Sequence, residues 1–130
     1  VRLGYVILYV PSVEDAVWFY EHAFGLSRRF VHESGAYAEL RTGDTTLAFA
    51  SEELASTHGF EFAPTRTDSA PPSVEVAFIT DDVQSSYTAA LKAGARSVTP
   101  PEKKPWGQTV SYVRDNNGYL VEICSPVGPP

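Results

Sequence analysis

Two glutamates are the residues of this chain best placed to do chemistry. Glu75 opens the apolar run Glu75-Val76-Ala77-Phe78-Ile79, and Glu122 sits within Leu120-Val121-Glu122-Ile123-Cys124. Side chains alternate across a strand. Glu75 therefore faces away from Val74, Val76 and Phe78, while Glu122 shares a face with Leu120 and Cys124. Two carboxyls brought close split their pKa values, and one of them becomes a usable acid. With waters completing the shell they can also hold a hard cation weakly. An unpaired buried carboxylate is costly, so a sheet face mixing Glu75 and Glu122 with Tyr5 and Tyr9 reads as a wet groove, not a dry core.

Other reactive groups are sparse. Cys124 is the single cysteine. It reads as a small packing residue, excludes an internal disulfide, and points to a reducing, cytoplasmic setting. His22 falls on the outside of a helical segment and His58 in a polar stretch; His32 is on a strand that can line the groove. There is no Gly-rich phosphate loop, no Cys/His nucleophile pair and no basic stripe. Sixteen acids against ten bases give −6, which argues against nucleic acid as a partner. No apolar run approaches the ~20 residues that span a membrane, and no signal-peptide pattern precedes the first strand. Lys103-Lys104, beside Trp106, reads either as a solvated loop pair or as a clamp for an anionic ligand.

The scaffold for these residues is written twice. Tyr5 to Val10, Ser12, a helical segment from Val13 and then Gly25 are echoed by Glu75 to Thr80, Asp82, a helical segment from Val83 and then Gly94. Val6/Val76 and Val13/Val83 keep a constant offset of 70 residues. Val13, Ala16, Val17, Tyr20 and Phe24 form one helical stripe, as do Val83, Tyr87 and Leu91. Ser12 and Asp82 are N-caps. Strands follow over 28–33, 36–41 and 45–51 in the first copy, and over 96–99, 108–114 and 119–124 in the second. Asp115 to Gly118 is a hairpin turn, and 100–107 a rigid Pro-rich loop. The organisation is a single domain: module one 1–51, a polar linker 52–72, and module two 73–125. The Pro-rich end, 126–130, is expected to fray. Phe60 and Phe62 in the linker either form a small satellite core or a lid over a ligand.

Because the helical stripes need an apolar sheet face, they should cover the Val6 and Val76 side. Alternation then places Phe30, His32, Tyr37, Leu47 and Phe49 on the groove face of module one. It places Gln108, Val110 and Tyr112 on that of module two, with Trp106 at the loop entrance. Such residues fill a core or a dimer interface, or they form a platform for a flat aromatic ligand. Trp18, beside the first helical stripe, reads as a packing or interface residue.

A β-α-β-β-β module used twice, with Phe19-Tyr20, Phe24-Gly25-Leu26, Arg114-Asp115-Asn116-Asn117-Gly118 and Val121-Glu122 in this order, resembles the vicinal oxygen chelate superfamily of glyoxalase I, bleomycin-resistance proteins and extradiol dioxygenases. The resemblance covers essentially the whole chain. It implies an α+β fold: two tandem βαβββ modules, curled mixed sheets around a cleft, helices on the outer face, very often in a homodimer. It also implies four metal-ligand positions, a His on the first strand and a carboxylate on the last strand of each module. Here they map to Tyr5, Leu47, Glu75 and Glu122, the last-strand pair being counted four residues after Gly43 and Gly118. Two carboxylates and no imidazole are a poor set for Zn²⁺, Ni²⁺ or Fe²⁺. The expectation is a metal-free, cofactor-free, non-enzymatic protein that sequesters a hydrophobic or aromatic small molecule, an antibiotic among the candidates. Its ligand contacts would be Tyr5, Phe30, His32, Tyr37, Leu47, Phe49, Glu75, Trp106, Gln108, Tyr112 and Glu122. The alternative is a lyase, isomerase or dioxygenase that uses Glu75 and Glu122, with or without a divalent metal. A structural dimer without a ligand is the third reading.

Overall fold

Both copies fold in the same order of elements. In the first these are β1 (Tyr5–Val10), α1 (Val13–Phe24), β2 (Arg28–Val31), β3 (Tyr37–Leu40) and β4 (Thr46–Ser51). A short helix α2 (Glu52–Ala55) and a 3-10 turn (Ser56–His58) follow. The second copy comprises β5 (Glu75–Ile79), α3 (Val83–Lys92), β6 (Arg96–Lys103), β7 (Thr109–Arg114) and β8 (Leu120–Cys124). The structure is a computed structural model describing residues 1–128; the last two residues of the 126–130 tail lie outside the described residues. The chain divides into two units between Thr65 and Arg66, inside the polar stretch read as a linker. Among the described residues no helix is long and apolar enough to cross a membrane.

In the first unit the sheet order is β1-β4-β3-β2, with β1 parallel to β4 and the other pairs antiparallel. Ser12 caps α1, its hydroxyl accepting from the Asp15 amide at 3.2 Å, and Gly25 ends it in the left-handed region at φ 69°. Between these signals Val13, Ala16, Val17, Phe19, Tyr20 and Ala23 are buried. They lie over β2, β3 and β4, where Tyr20 meets Phe49 at a ring-centroid distance of 5.2 Å. Each such large side chain taken from water contributes about 1.5–3 kcal/mol. Arg28 ties β2 to the helix, its guanidinium donating to Glu21 and Glu14 at 2.9–3.2 Å.

The second unit repeats this as β5-β8-β7-β6, with β5 parallel to β8. Asp82 caps α3 by accepting from the Ser85 amide at 3.0 Å, and Val83, Tyr87 and Ala90 are buried. At the β7–β8 turn, Asp115 Oδ1 accepts from the amides of Asn117 and Tyr119, both at 2.9 Å. Gly118 closes the turn at φ 97°, where an added Cβ would lie 2.6 Å from the Arg66 carbonyl oxygen. That close approach is fixed by Arg114, which is buried and donates to the carbonyls of Gly118, Arg66 and Thr67.

The helices cover the sheet faces that carry Val6 and Val76, as expected, but α1 rests on β2–β4 and α3 on β6–β8, so on the edge strands Val6 stays 36% exposed and Val76 half-buried. Two expectations need correction here. The strand expected to stop at residue 99 continues to Lys103 through Pro100 and Pro101. Proline is tolerated on an edge strand at irregularities, and the β6–β7 register shifts between Ser97 and Thr99 and again between Thr99 and Glu102. His32 is not a strand residue: β2 ends at Val31, and His32 sits exposed in the turn with its Nδ1 2.8 Å from Ser34 Oγ.

Candidate functional site

The face of each sheet opposite its long helix carries the candidate chemistry. In the second unit, Ala77, Glu122 and Tyr112 stand in one row across β5, β8 and β7. Glu75, two residues before Ala77, shares that face and hydrogen-bonds Glu122. The Tyr112 hydroxyl donates to Glu122 Oε1 at 3.1 Å. Partial burial, the hydrogen bond that the protonated Glu75 donates to Glu122, and the charge of Glu122 together hold the Glu75 carboxyl above its ordinary range. Burial and then Glu122 push Tyr112 up to about 12 and Cys124 up to about 11. The phenol and the thiol therefore keep their protons at neutral pH, and Cys124 is no nucleophile. Glu75 thus holds its proton more tightly than a lone carboxyl does.

The equivalent row of the first unit is Ile7, Ala48 and Glu39. The last-strand position of module one is therefore Ala48, not Leu47. Leu47 and Phe49 pair with Val6 and Leu8, and Phe49 is fully buried against Tyr20 of α1. Both belong to the helix-side core, and their assignment to the groove face is overturned. The cause is turn length. Gly118 is two residues before the β8 residue that faces Glu75, whereas Gly43 is three before Thr46, which faces Tyr5. One extra residue moves every side chain to the other face.

Glu39 carries the chemistry in this unit, and the sequence reading passed over it. It is 5% exposed. It accepts from Arg29 Nη1 at 2.7 Å and from the Tyr37 hydroxyl at 2.8 Å. Burial and then Glu39 drive the Tyr37 phenol well above its usual value. The signal was available, since Glu39 is two residues from Tyr37 and so on the same strand face. Phe30 also reaches this face, because the β2–β3 register is irregular between Arg28 and Phe30. Such a bulge sets two residues against one partner. Phe30 lies 6.0 Å from the Tyr37 ring. Tyr5 is exposed on the same face. Tyr9 is covered by Phe60 and Phe62, with ring centroids 6.5 and 5.0 Å away, so the two linker phenylalanines pack on β1.

The remaining candidates are engaged locally. The Trp106 indole donates to Gln108 Oε1 at 2.9 Å, and the Gln108 amide donates to the Ser125 carbonyl at 3.0 Å. Gln108 is thus committed at both ends. Val110 is buried opposite Cys124. Trp18 is exposed and stacks on His22 with centroids 4.1 Å apart, on the outside of α1.

A family model described as the Glyoxalase/Bleomycin resistance protein/Dioxygenase superfamily matches residues 2–123. The chain belongs to this superfamily. It is 24% identical over 123 residues to the uncharacterized protein YraH of Bacillus subtilis (strain 168), covering 94% of this chain and 96% of that one. In fold it is similar to a glyoxalase-related enzyme from Fulvimarina pelagi, with TM-score 0.81, 20% identity and coverage of 96% of this chain and 88% of that one. It is equally similar to a glyoxalase/bleomycin resistance protein/dioxygenase family enzyme from Burkholderia phytofirmans PsJN, with TM-score 0.81, 20% identity and coverage of 96% and 98%. The metal positions that the resemblance implies hold Tyr5, Ala48, Glu75 and Glu122. Ala48 has no donor atom, and none of the four is an imidazole. Among the described residues, no three His, Cys, Asp or Glu side chains converge within either unit as a metal cage requires. This donor set does not fit a transition metal.

Proposed function

We propose that this chain binds and sequesters a hydrophobic or aromatic small molecule without a metal. The observation that carries this reading is the open aromatic surface on the helix-free face of the first unit. Tyr5 and Phe30 are 55% and 40% exposed, and Phe30 leans on Tyr37. Exposed aromatics beside satisfied polar groups are the makings of a ligand platform, giving large contact area for little lost side-chain entropy. The second unit has a polar face of its own, where Glu75 and Glu122 offer hydrogen-bonding carboxyls. Equilibrium dialysis against a panel of aromatic natural products should return a ligand bound at micromolar or better affinity and recovered unchanged; turnover of that ligand would sink the reading.

A second reading is favoured by one observation, the raised Glu75 carboxyl beside Glu122. A raised carboxyl pKa moves the group toward general-acid duty, and with Glu122 as its partner this fits metal-free lyase or isomerase chemistry. Loss of any detected activity in Glu75→Gln, with binding retained, would support it. Stoichiometric Ni, Zn, Fe or Mn in protein purified without chelator would overturn both metal-free readings.

A further inference from the structure

The helix-free face of the first unit also holds a cationic pocket that this general reading leaves unused. Arg29 and Phe30 share that face through the β2 bulge, while Arg28 turns to α1. One nitrogen of Arg29 is fixed by buried Glu39, whose other oxygen is taken by Tyr37. Arg29 is thereby held in place with the rest of its guanidinium fork unengaged by protein, its side chain 56% exposed. Arg41, the residue that follows β3, is exposed and makes no side-chain hydrogen bond or ion pair among the described residues. The two arginines line one cavity of about 280 Å³ with Leu40, Thr42, Gly43 and Thr46. Thr46 pairs with Tyr5 across the sheet, which carries the aromatic surface up to the edge of this pocket.

We propose that Arg29 and Arg41 form a carboxylate-binding subsite, and that the ligand of this face is an aromatic acid whose ring rests on the adjoining aromatic surface. The proposal rests on the ligand-binding reading above and narrows its ligand class. Arg29 with Glu39 is neutral as a pair, so Arg41 supplies the net positive charge. Arg29 supplies the preorganised fork, which suits the planar two-oxygen geometry of a carboxylate. The second unit offers no counterpart. The position matching Arg41 is Arg114, buried and occupied by three backbone carbonyls. The position matching Arg29, in a bulge between Ser97 and Thr99, is Val98.

The test uses the full chain with 2-naphthoate and methyl 2-naphthoate as probes, read by isothermal titration at low salt. The acid should bind about tenfold more tightly than the ester, as a charge-assisted contact in a half-open site implies. Arg41→Gln touches no protein partner, so it should fold normally and erase the difference by weakening only the acid. Arg29→Gln should do the same, with some loss of stability because it unpairs Glu39. Equal binding of acid and ester overturns the subsite and leaves the aromatic platform standing. Undiminished acid binding by Arg41→Gln also overturns it. Binding of neither probe at millimolar concentration overturns the aromatic-acid assignment, while the natural-product panel continues to test sequestration on its own.

Discussion

At matched places in the two sheets the same polar chemistry sits on different strands. The second unit sets Glu122 on its last strand opposite Tyr112; the first sets Ala48 on its last strand opposite Glu39. In one unit the carboxyl faces another carboxyl, Glu75, and holds it above its ordinary range; in the other it is buried between an arginine and a tyrosine and acts as an anchor. A duplicated backbone thus preserves where a polar group can stand without preserving its partners. Those are Glu75 and Tyr112 in one unit, Arg29 and Tyr37 in the other.

The largest effect expected from this comparison lies in the turns that precede the last strands. Gly43 and Gly118 have nearly the same φ, 95° and 97°, but only Gly118 is crowded, by the Arg66 carbonyl and the Arg114 guanidinium. Gly118→Ala should lose about 3 kcal/mol by combining left-handed strain with a backbone clash. Gly43→Ala should lose only about 1 kcal/mol. Urea melts giving the two variants equal losses would remove the claim that the Arg114 clamp distinguishes the units.

Next come the carboxyls. Glu39→Gln gives up a charge-assisted contact to Arg29 in a buried setting and should cost about 2 kcal/mol. Glu122→Gln keeps an acceptor for Tyr112 and relieves the repulsion on Glu75, so its stability at pH 8 should stay within about 0.5 kcal/mol of the parent. The reverse order in chemical denaturation would mean that the two carboxyls have the opposite roles.

The smallest effect is a pH slope. The folded-state pKa of Glu75 lies above its ordinary value of 4.5, so the folded chain holds this proton more tightly than the unfolded chain does. That stabilisation is complete below 4.5 and is lost as pH rises through the raised folded value. The stability difference between the parent and Glu75→Gln should therefore shift against the parent over that window. A difference that does not change with pH would show that the pair does not share a proton.

The helices, their caps and the order of strands were legible because they depend on local patterns. Val13 to Phe24 carries its own stripe, its Ser12 cap and its Gly25 stop. The site was legible only where strand register carried over between copies. Glu75, Glu122 and Tyr112 lie where alternation placed them. Leu47 and Phe49 do not, because register in β4 is set by pairing with β1 and by the length of a turn, neither of which shows in the alternation of β4 itself. Glu39 escaped notice for a related reason. A glutamate between two apolar residues on a short strand reads as an outward-facing charge until its partner from the neighbouring strand is known.

The extra residue between Gly43 and β4 behaves like a shifted reading frame. Deleting one residue from 43–45 would leave the composition of β4 nearly unchanged and reverse what each of its side chains faces. Phe49 would leave the core, and Ala48 would enter it. Single-residue length changes in this turn are therefore closed to gradual divergence, because the core fails before a new site can form. Substitution on β3, or matched length changes at both ends of β4, are the routes by which this half of the duplication can acquire different chemistry. A carboxylate at 39 with none at 48 is compatible with the first of these routes.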